Sequence, residues 1–285
     1  MGKILDGAAL AKQIKTEIKT KAGQLERAPG LAVILVGDDP ASRVYVTSKR
    51  KDCIDCGFHA KEYLFPAEVQ QKELTDLIVE LNDDVSIDGI LVQMPLPKHI
   101  DQQNVVEAIT PGKDVDCFHP YNVGRLHIGQ PTFWPCTPYG VMELLRLNNI
   151  GVFGKRCVVV GRSNIVGRPM ASLLEKFDGT VTLCHSHTRN LSEICREADI
   201  LVSAVGQIGV ITEDRVKTGA VVIDVAMNRD ENGKLCGDCV PAVYEKSYAY
   251  TPVPGGVGPM TRAMLMKNTL MAAMAHQGVS FFNAK

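Results

Sequence analysis

Short apolar runs with little polar alternation are what most restrict the fold of this chain. LAVILVG (31–37), DGILVQMPLP (88–97), KRCVVVG (155–161), TVTLCH (180–185), ILVSAV (200–205) and AVVIDVA (220–226) are rich in β-branched residues. They read as strands, and their alternation with helices is the signature of a parallel sheet with both faces covered, clearest over residues 31–97. Helical stretches separate them. DDPASRVYVTSKRKDCIDCG has Ser42 as its expected N-cap, and QQKELTDLIVELNDD puts Leu74, Leu77, Ile78 and Leu81 on one stripe. With KEYLF as a further strand, the first part reads β-α-β-α-β.

The alternation restarts at TPYGVMELLRLNN (137–149), a helix, so the seam between two domains is expected near 120–145. NRDENGKLCGD reads as a hairpin turning at Asn232-Gly233. TPVPGGVGPM leads into one long last helix, with Pro259 near its first turn, which could pack on either domain. The fold class is therefore α/β, and 285 residues suit two domains or one large α/β unit.

Composition narrows the partners. The net charge is −1 and no long basic block occurs, so no nucleic acid and no membrane partner is expected. The N-terminal residues read as a short strand and an amphipathic helix rather than a signal peptide, and a cytoplasmic location is expected. The nine cysteines include two CxxC pairs, Cys53/Cys56 and Cys236/Cys239. These pairs lie about 180 residues apart, far beyond the roughly 15–20 of a zinc ribbon, so reduced thiols are a better reading than a metal or redox site.

VVVGRSNIVGRP (158–169) stands where a strand, a glycine turn and a helix would cradle a phosphate. Gly161 lets the chain reverse, Gly167 allows close approach, and the helix N-terminus offers free N–H groups. The spacing departs from GxGxxG, with Ser163 at the middle glycine. The next strand ends TLCHSHTR, with no acid for a ribose 2′-hydroxyl, whereas Arg162, Ser186 and Arg189 suit a 2′-phosphate. NADP is thus favoured over NAD.

Elsewhere, Tyr45 and Lys49 are four apart and share a helix face. Gln93 interrupts an apolar strand near its carboxyl end, where parallel sheets bind ligands. PGKDVDCFHP (111–120) crowds Asp114, Asp116, Cys117 and His119 together, a pattern open to a metal, a nucleophile or an acid/base pair. A Lys, an amide and a carboxylate in one cleft could position a substrate and move a proton, the Lys pKa being lowered by desolvation.

GLAVILVGDDPASRVYVTSKRKDC with its YxxxK, DGILVQMPLP, PGKDVDCFHPYNVGRL, CTPYG, VVVGRSNIVGRPM and TPVPGGVGPMTRAML occur in that order. Over nearly its whole length the chain resembles the bifunctional methylenetetrahydrofolate dehydrogenase/methenyltetrahydrofolate cyclohydrolase family. The resemblance implies NADP-dependent oxidation of 5,10-methylenetetrahydrofolate to the methenyl form, then hydrolysis to 10-formyltetrahydrofolate, in one-carbon metabolism and purine biosynthesis. It implies two βαβ-type domains with an active-site cleft between them: a folate-binding catalytic domain of 1–136 plus 270–285, and a Rossmann-like NADP-binding domain of 137–269. It also implies a homodimer.

Carried over by position, the resemblance makes Lys49 the central catalytic group, oriented by Gln93. Tyr45 would stack on the folate, Asp116 would hydrogen-bond the pterin, and Pro254, Gly255 and Gly256 would border the folate pocket. Gly161, Arg162, Ser163, Ile165, Ser186, Thr137 and Met227 would contact NADP. No metal is expected; Asp114 and His119 become structural, and Cys117 is not a nucleophile. Two departures stand out. Cys117 replaces the glycine of KDVDGF, and would be strained if that position needs a positive φ. DVAMN, with Ala226 and Met227, replaces DVGIN. Competing readings are loss of one of the two activities, or a folate- or nucleotide-binding protein with little catalysis.

Overall fold

The computed structural model describes residues 2–279. The chain runs β1 (Lys3–Ile4), α1 (Gly7–Ala22), β2 (Gly30–Val36), α2 (Pro40–Cys56), β3 (His59–Phe65), α3 (Gln71–Asp83), β4 (Gly89–Val92), α4 (Gln102–Ala108), α5 (Pro120–His127) and α6 (Cys136–Leu147). It continues with β5 (Arg156–Val160), α7 (Gly167–Lys176), β6 (Thr180–Cys184), α8 (Leu191–Arg196), β7 (Ile200–Ser203) and β8 (Val221–Asp224). After β9 (Asn228–Arg229) and β10 (Leu235–Cys236) it ends with α9 (Pro241–Lys246), β11 (Ala249–Tyr250) and α10 (Val257–His276).

Two compact units result. The chain to Lys12 groups with Thr137–Thr261, and Gln13–Cys136 groups with the chain from Arg262. These compact units differ from the expected bounds at two places. The N-terminal residues join the second domain because β1 pairs in parallel with β11. The return to the first domain begins at Arg262, eight residues before 270, because the body of α10 carries contacts such as the two 2.8 Å hydrogen bonds from Asn268 Nδ2 to the Val115 and Trp134 carbonyls.

In the unit of residues 13–136, β2 lies between β3 and β4, all parallel. Every residue of β2 and β4 is buried, as their apolar runs predict. The stripe of α3 packs Leu74, Ile78 and Leu81 against Ile34, Ile90 and Val92. Helix α2 starts earlier than expected. Asp39, not Ser42, is its N-cap and accepts from the Ser42 amide at 2.8 Å; Pro40 occupies the first turn, where it needs no amide partner. β4 stops at Val92, so Gln93 falls just past the strand, its amide donating to the Ile34 carbonyl.

In the other unit six parallel strands run in the order β1-β11-β8-β7-β5-β6. After β5 the chain first moves outward to β6 and then back to β7 on the other side. The strand order therefore reverses between β5 and β7, the place where open parallel sheets open a ligand crevice at their carboxyl ends. β9 and β10 form the expected hairpin, but its loop covers residues 230–234 and is wider than a two-residue turn: the Asp230 amide donates to the Lys234 carbonyl, and Asp230 Oδ1 accepts from the Asn232 and Lys234 amides.

Asp88 is fully buried and ties distant segments of its unit together. It accepts two hydrogen bonds from Arg27, both 2.7 Å, one from the Gly30 amide, and one at 2.8 Å from His276 near the end of α10. Burial pushes its pKa up, but the bonds from His276, Arg27 and Gly30 outweigh burial and hold it below the usual carboxylate range. Asp88→Asn should lower unfolding stability by roughly 3 kcal/mol, read from urea midpoints, because it leaves a half-buried Arg27 without its charge partner. Since the folded pKa is depressed, the wild-type advantage is full above the unfolded value of about 3.9 and declines as pH falls through the folded one. An equal difference at all pH values down to acid unfolding would contradict this.

Candidate active site

The residue types read as catalytic gather in the unit of residues 13–136. Helix α2 places Tyr45 one turn before Lys49 on the same face. Lys49 Nζ donates to Gln93 Oε1 at 2.9 Å, and Gln93 Nε2 donates to the Met94 carbonyl at 2.8 Å. The second bond fixes the amide orientation, so that oxygen and not nitrogen faces Lys49. Burial is the main cause that lowers the Lys49 pKa; Asp116 opposes it, and Arg262 adds to the lowering. A neutral amine is therefore more accessible here than on a surface lysine. Tyr45 is pushed up by burial, with Arg262 acting against it.

The crowded segment 111–120 separates into distinct tasks. Lys113 is buried and donates to the Leu81 and Asp84 carbonyls, both 2.9 Å. Asp114 accepts from the Phe118 amide at 3.1 Å, the His119 amide at 2.9 Å and Asn122 Nδ2 at 2.8 Å, and so closes the loop. His119 is the N-cap of α5, its Nδ1 accepting from the Tyr121 amide. Asp116 remains half-buried, close enough for its charge to act on Lys49. Cys117 adopts φ 63°, the left-handed conformation that glycine takes without cost. Its buried thiol donates to the Phe133 carbonyl at 3.3 Å. The strain anticipated for a side chain here is present. Among the described residues, no group of three His, Cys, Asp or Glu is placed to hold a metal.

Two residues beside Lys49 escaped the sequence reading. Arg262 forms an ion pair with the buried Asp52 at 3.0 Å, and Lys15 binds the same carboxylate at 2.6 Å. Its signal was a charge at the start of an otherwise apolar helical run. Cys136 is buried beside Asp116, which with burial drives its thiol pKa far up. Asn268 Nδ2 holds the Val115 and Trp134 carbonyls, both at 2.8 Å, and so positions the backbone just before Asp116 and Cys136.

The other unit contains the glycine turn. Gly161 has φ 115°, and a Cβ there would overlap the Ala204 carbonyl oxygen. A Cβ on Gly167 would overlap the Gly161 carbonyl oxygen. The two glycines thus let the turn press against both the loop after β7 and the start of α7. Ser163 Oγ accepts from the Val166 and Gly167 amides at 3.2 and 3.3 Å and keeps its own proton free to donate. Arg162, Ser163, Ile165, Ser186 and Arg189 are exposed. His185 stands edge-on to His187, 6.0 Å between ring centroids, and burial, Arg162 and His187 together lower its pKa. This corner carries cationic groups and no acid at the end of β6, as a 2′-phosphate requires.

Thr137 meets the Thr261 hydroxyl at 3.0 Å, and Met227 is exposed after β8. Gly255, at φ 107°, accepts through its carbonyl from the Ala8 amide at 3.0 Å. Pro254, Gly255 and Gly256 belong to this unit, whereas Tyr45, Lys49, Gln93 and Asp116 belong to the other.

Comparison with known proteins also finds two domains, with bounds that follow the chain rather than the compact units. Residues 5–116 match the model of the tetrahydrofolate dehydrogenase/cyclohydrolase catalytic domain, and residues 135–277 that of the NAD(P)-binding domain of the same family. The bifunctional protein FolD of Ruminiclostridium cellulolyticum is 55% identical over 281 residues, covering 97% of this chain and 99% of that protein. The crystal structure of the bifunctional FolD methylenetetrahydrofolate dehydrogenase/cyclohydrolase from Campylobacter jejuni superposes with a TM-score of 0.95 at 48% identity, covering 96% of this chain and 99% of that one. The Trypanosoma brucei FolD, complexed with NADP cofactor and inhibitor, gives 0.92 at 42% identity, covering 96% and 98%.

The thiols offer a direct check on the geometry. Cys53 and Cys56 are buried, pushed up to about 12, and point to Met266 Sδ and the Lys15 carbonyl rather than to each other. Cys236 is the half-buried one of the nine. Native protein treated with iodoacetamide at neutral pH should be alkylated first at Cys236, as read by peptide mass spectrometry. Labelling of Cys53, Cys56 or Cys117 at a similar rate would contradict the packing described.

Proposed function

The chain belongs to the tetrahydrofolate dehydrogenase/cyclohydrolase family, and we propose that it performs both reactions of that family. It oxidises 5,10-methylenetetrahydrofolate to 5,10-methenyltetrahydrofolate with NADP+ and hydrolyses the product to 10-formyltetrahydrofolate. The observation that carries this reading is the 2.9 Å bond from Lys49 to Gln93, which holds a desolvated amine beside Asp116.

For the hydrolysis, the methenyl substrate is cationic and already electrophilic, so the protein need only place water and move protons. Neutral Lys49 takes a proton from the water as its oxygen bonds to the methenyl carbon. Protonated Lys49 then returns that proton to the ring nitrogen as the carbon–nitrogen bond breaks, and the remaining hydroxyl proton leaves to solvent as the formyl carbonyl forms, so each turnover releases one proton. Gln93 keeps Nζ aimed while its proton count changes, because an amide oxygen accepts from either the amine or the ammonium. Asp116, an acceptor when ionised, suits the N–H groups of the pterin. By the family resemblance Tyr45 would stack on the folate, and Pro254, Gly255 and Gly256 would border it.

For the oxidation, NADP+ supplies a hydride acceptor when bound. The chain's part is to bind, orient and exclude water. The residues present fit that group: Gly161 and Gly167 let the turn pack tightly against the loop after β7 and the start of α7, and Ser163 Oγ, which accepts from the Val166 and Gly167 amides, can still donate its own proton. Arg162 with Ser186 would hold the 2′-phosphate, while Ile165, Thr137 and Met227 would lie along the cofactor. We read the protein further as a cytoplasmic homodimer that feeds purine biosynthesis, on the strength of the family resemblance.

One assay tests the whole reading: methylenetetrahydrofolate and NADP+ are supplied, and methenyl absorbance and formyl product are followed together. Ligand binding without turnover of either would refute it. Lys49→Met should slow cyclohydrolase by ~10²-fold or more while folate affinity changes little; hydrolysis at the wild-type rate would remove Lys49 from its role. Arg162→Ala should raise the KM for NADP+ roughly tenfold, the scale of one charge-assisted hydrogen bond, with a smaller change for NAD+. Equal losses for both would refute contact with the 2′-phosphate.

A further inference from the structure

Two buried carboxylates near the carboxyl end of the six-stranded sheet have no part in either reaction as described. Asp224 is the last residue of β8. Its Oδ1 accepts from the Asp238 amide at 3.0 Å, and its Oδ2 accepts from the Cys239 amide at 2.9 Å and the Tyr244 hydroxyl at 3.1 Å. The chain passes so close that a Cβ on Gly237 would overlap this carboxylate. The segment 237–239 is thereby locked to the end of β8.

The locked segment then projects Asp238, itself fully buried. Asp238 Oδ2 accepts from Ser203 Oγ at 2.8 Å, the Val205 amide at 2.9 Å and the Gly206 amide at 3.3 Å. Oδ1 accepts from the Gln207 amide at 2.7 Å and Asn228 Nδ2 at 3.1 Å. One side chain thus collects the loop after β7 and the residue that follows Met227 after β8. The loop after β7 is also the one that Gly161 packs against, at the Ala204 carbonyl. The loops after β7 and β8 therefore share a single anchor, and the Gly161 turn after β5 leans on the first of them, at the point where the strand order reverses.

We propose that Asp238 is a positioning residue for the dinucleotide: by gathering the loops after β7 and β8 it sets the floor against which the Gly161 turn and Met227 present the cofactor. This rests on the reading that NADP binds at these strand ends. A carboxylate with five donors is a rigid clamp, since each donor it releases would be left buried without a partner. All five of its donors lie in its own unit, at the strand ends read as the cofactor site, so its influence is expected on the oxidation. It also acts on the part of the cofactor common to NADP and NAD, unlike Arg162.

Asp238→Asn keeps the shape but turns an NH₂ toward amide donors. We expect the KM for NADP+ and for NAD+ to rise together, about tenfold or more, while cyclohydrolase measured on methenyltetrahydrofolate without cofactor stays within twofold. Ser203→Ala and Asn228→Ala, each removing one donor, should show the same split at about two- to threefold, and they decide the matter if Asp238→Asn does not fold. Parallel loss of both activities in a folded variant means a merely structural role and overturns the proposal. So does an unchanged KM, or a loss confined to NADP+. A wild-type protein without either activity would instead refute the functional reading itself.

Discussion

Amides at the carboxyl ends of parallel strands have no ladder partners, and this chain meets that constraint with buried carboxylates. Loops that leave such strands must turn at once, and their N–H groups would cost free energy if buried unpaired. Asp114 gathers the amides of 118 and 119, Asp224 those of 238 and 239, and Asp238 those of 205 to 207. The loops so held flank the candidate residues: Asp116 follows Asp114 by two, and the Gly161 turn leans on the loop that Asp238 holds. Rigid placement of these segments comes from acceptors that do no chemistry themselves.

Charge balance around Lys49 follows the same economy. Burial favours the neutral amine, Asp116 favours the ammonium, and Gln93 accepts from both. Arg262 opposes a second positive charge nearby, and is itself tied to Asp52. A group that must both take and return a proton benefits from opposing influences of this kind, because neither state is then strongly trapped.

Much of this was legible because local signals and tertiary outcome coincide. The apolar runs became β2, β4, β5, β7 and β8, and the helical stripe became α3, because a strand buried on both faces leaves no room for polar residues. YxxxK places two side chains on one face by helix geometry alone. What sequence reasoning missed depends on long-range partners. Arg262 takes its meaning from Asp52, some two hundred residues earlier. Asp238 reads in sequence as part of a hairpin, within the Cys236/Cys239 pair, and its five donors come from two other segments, 203–207 and Asn228. The start of α2 was misplaced for a smaller reason: Ser42 and Asp39 are both good caps, and Pro40 decides between them. The positive φ at Cys117 was readable only as a conditional, since a cysteine gives no sign that its backbone is left-handed.

Each compact unit is assembled from two separated stretches of chain, and this bears on how the protein is made. During synthesis, the body of residues 13–136 emerges long before His276, the last of the groups that enclose Asp88. The sheet of the other unit can close soon after β11 is made, because its partner strand β1 precedes it in the chain. The later-encoded unit is therefore able to finish first, and the earlier one must stay incomplete until α10 leaves the ribosome.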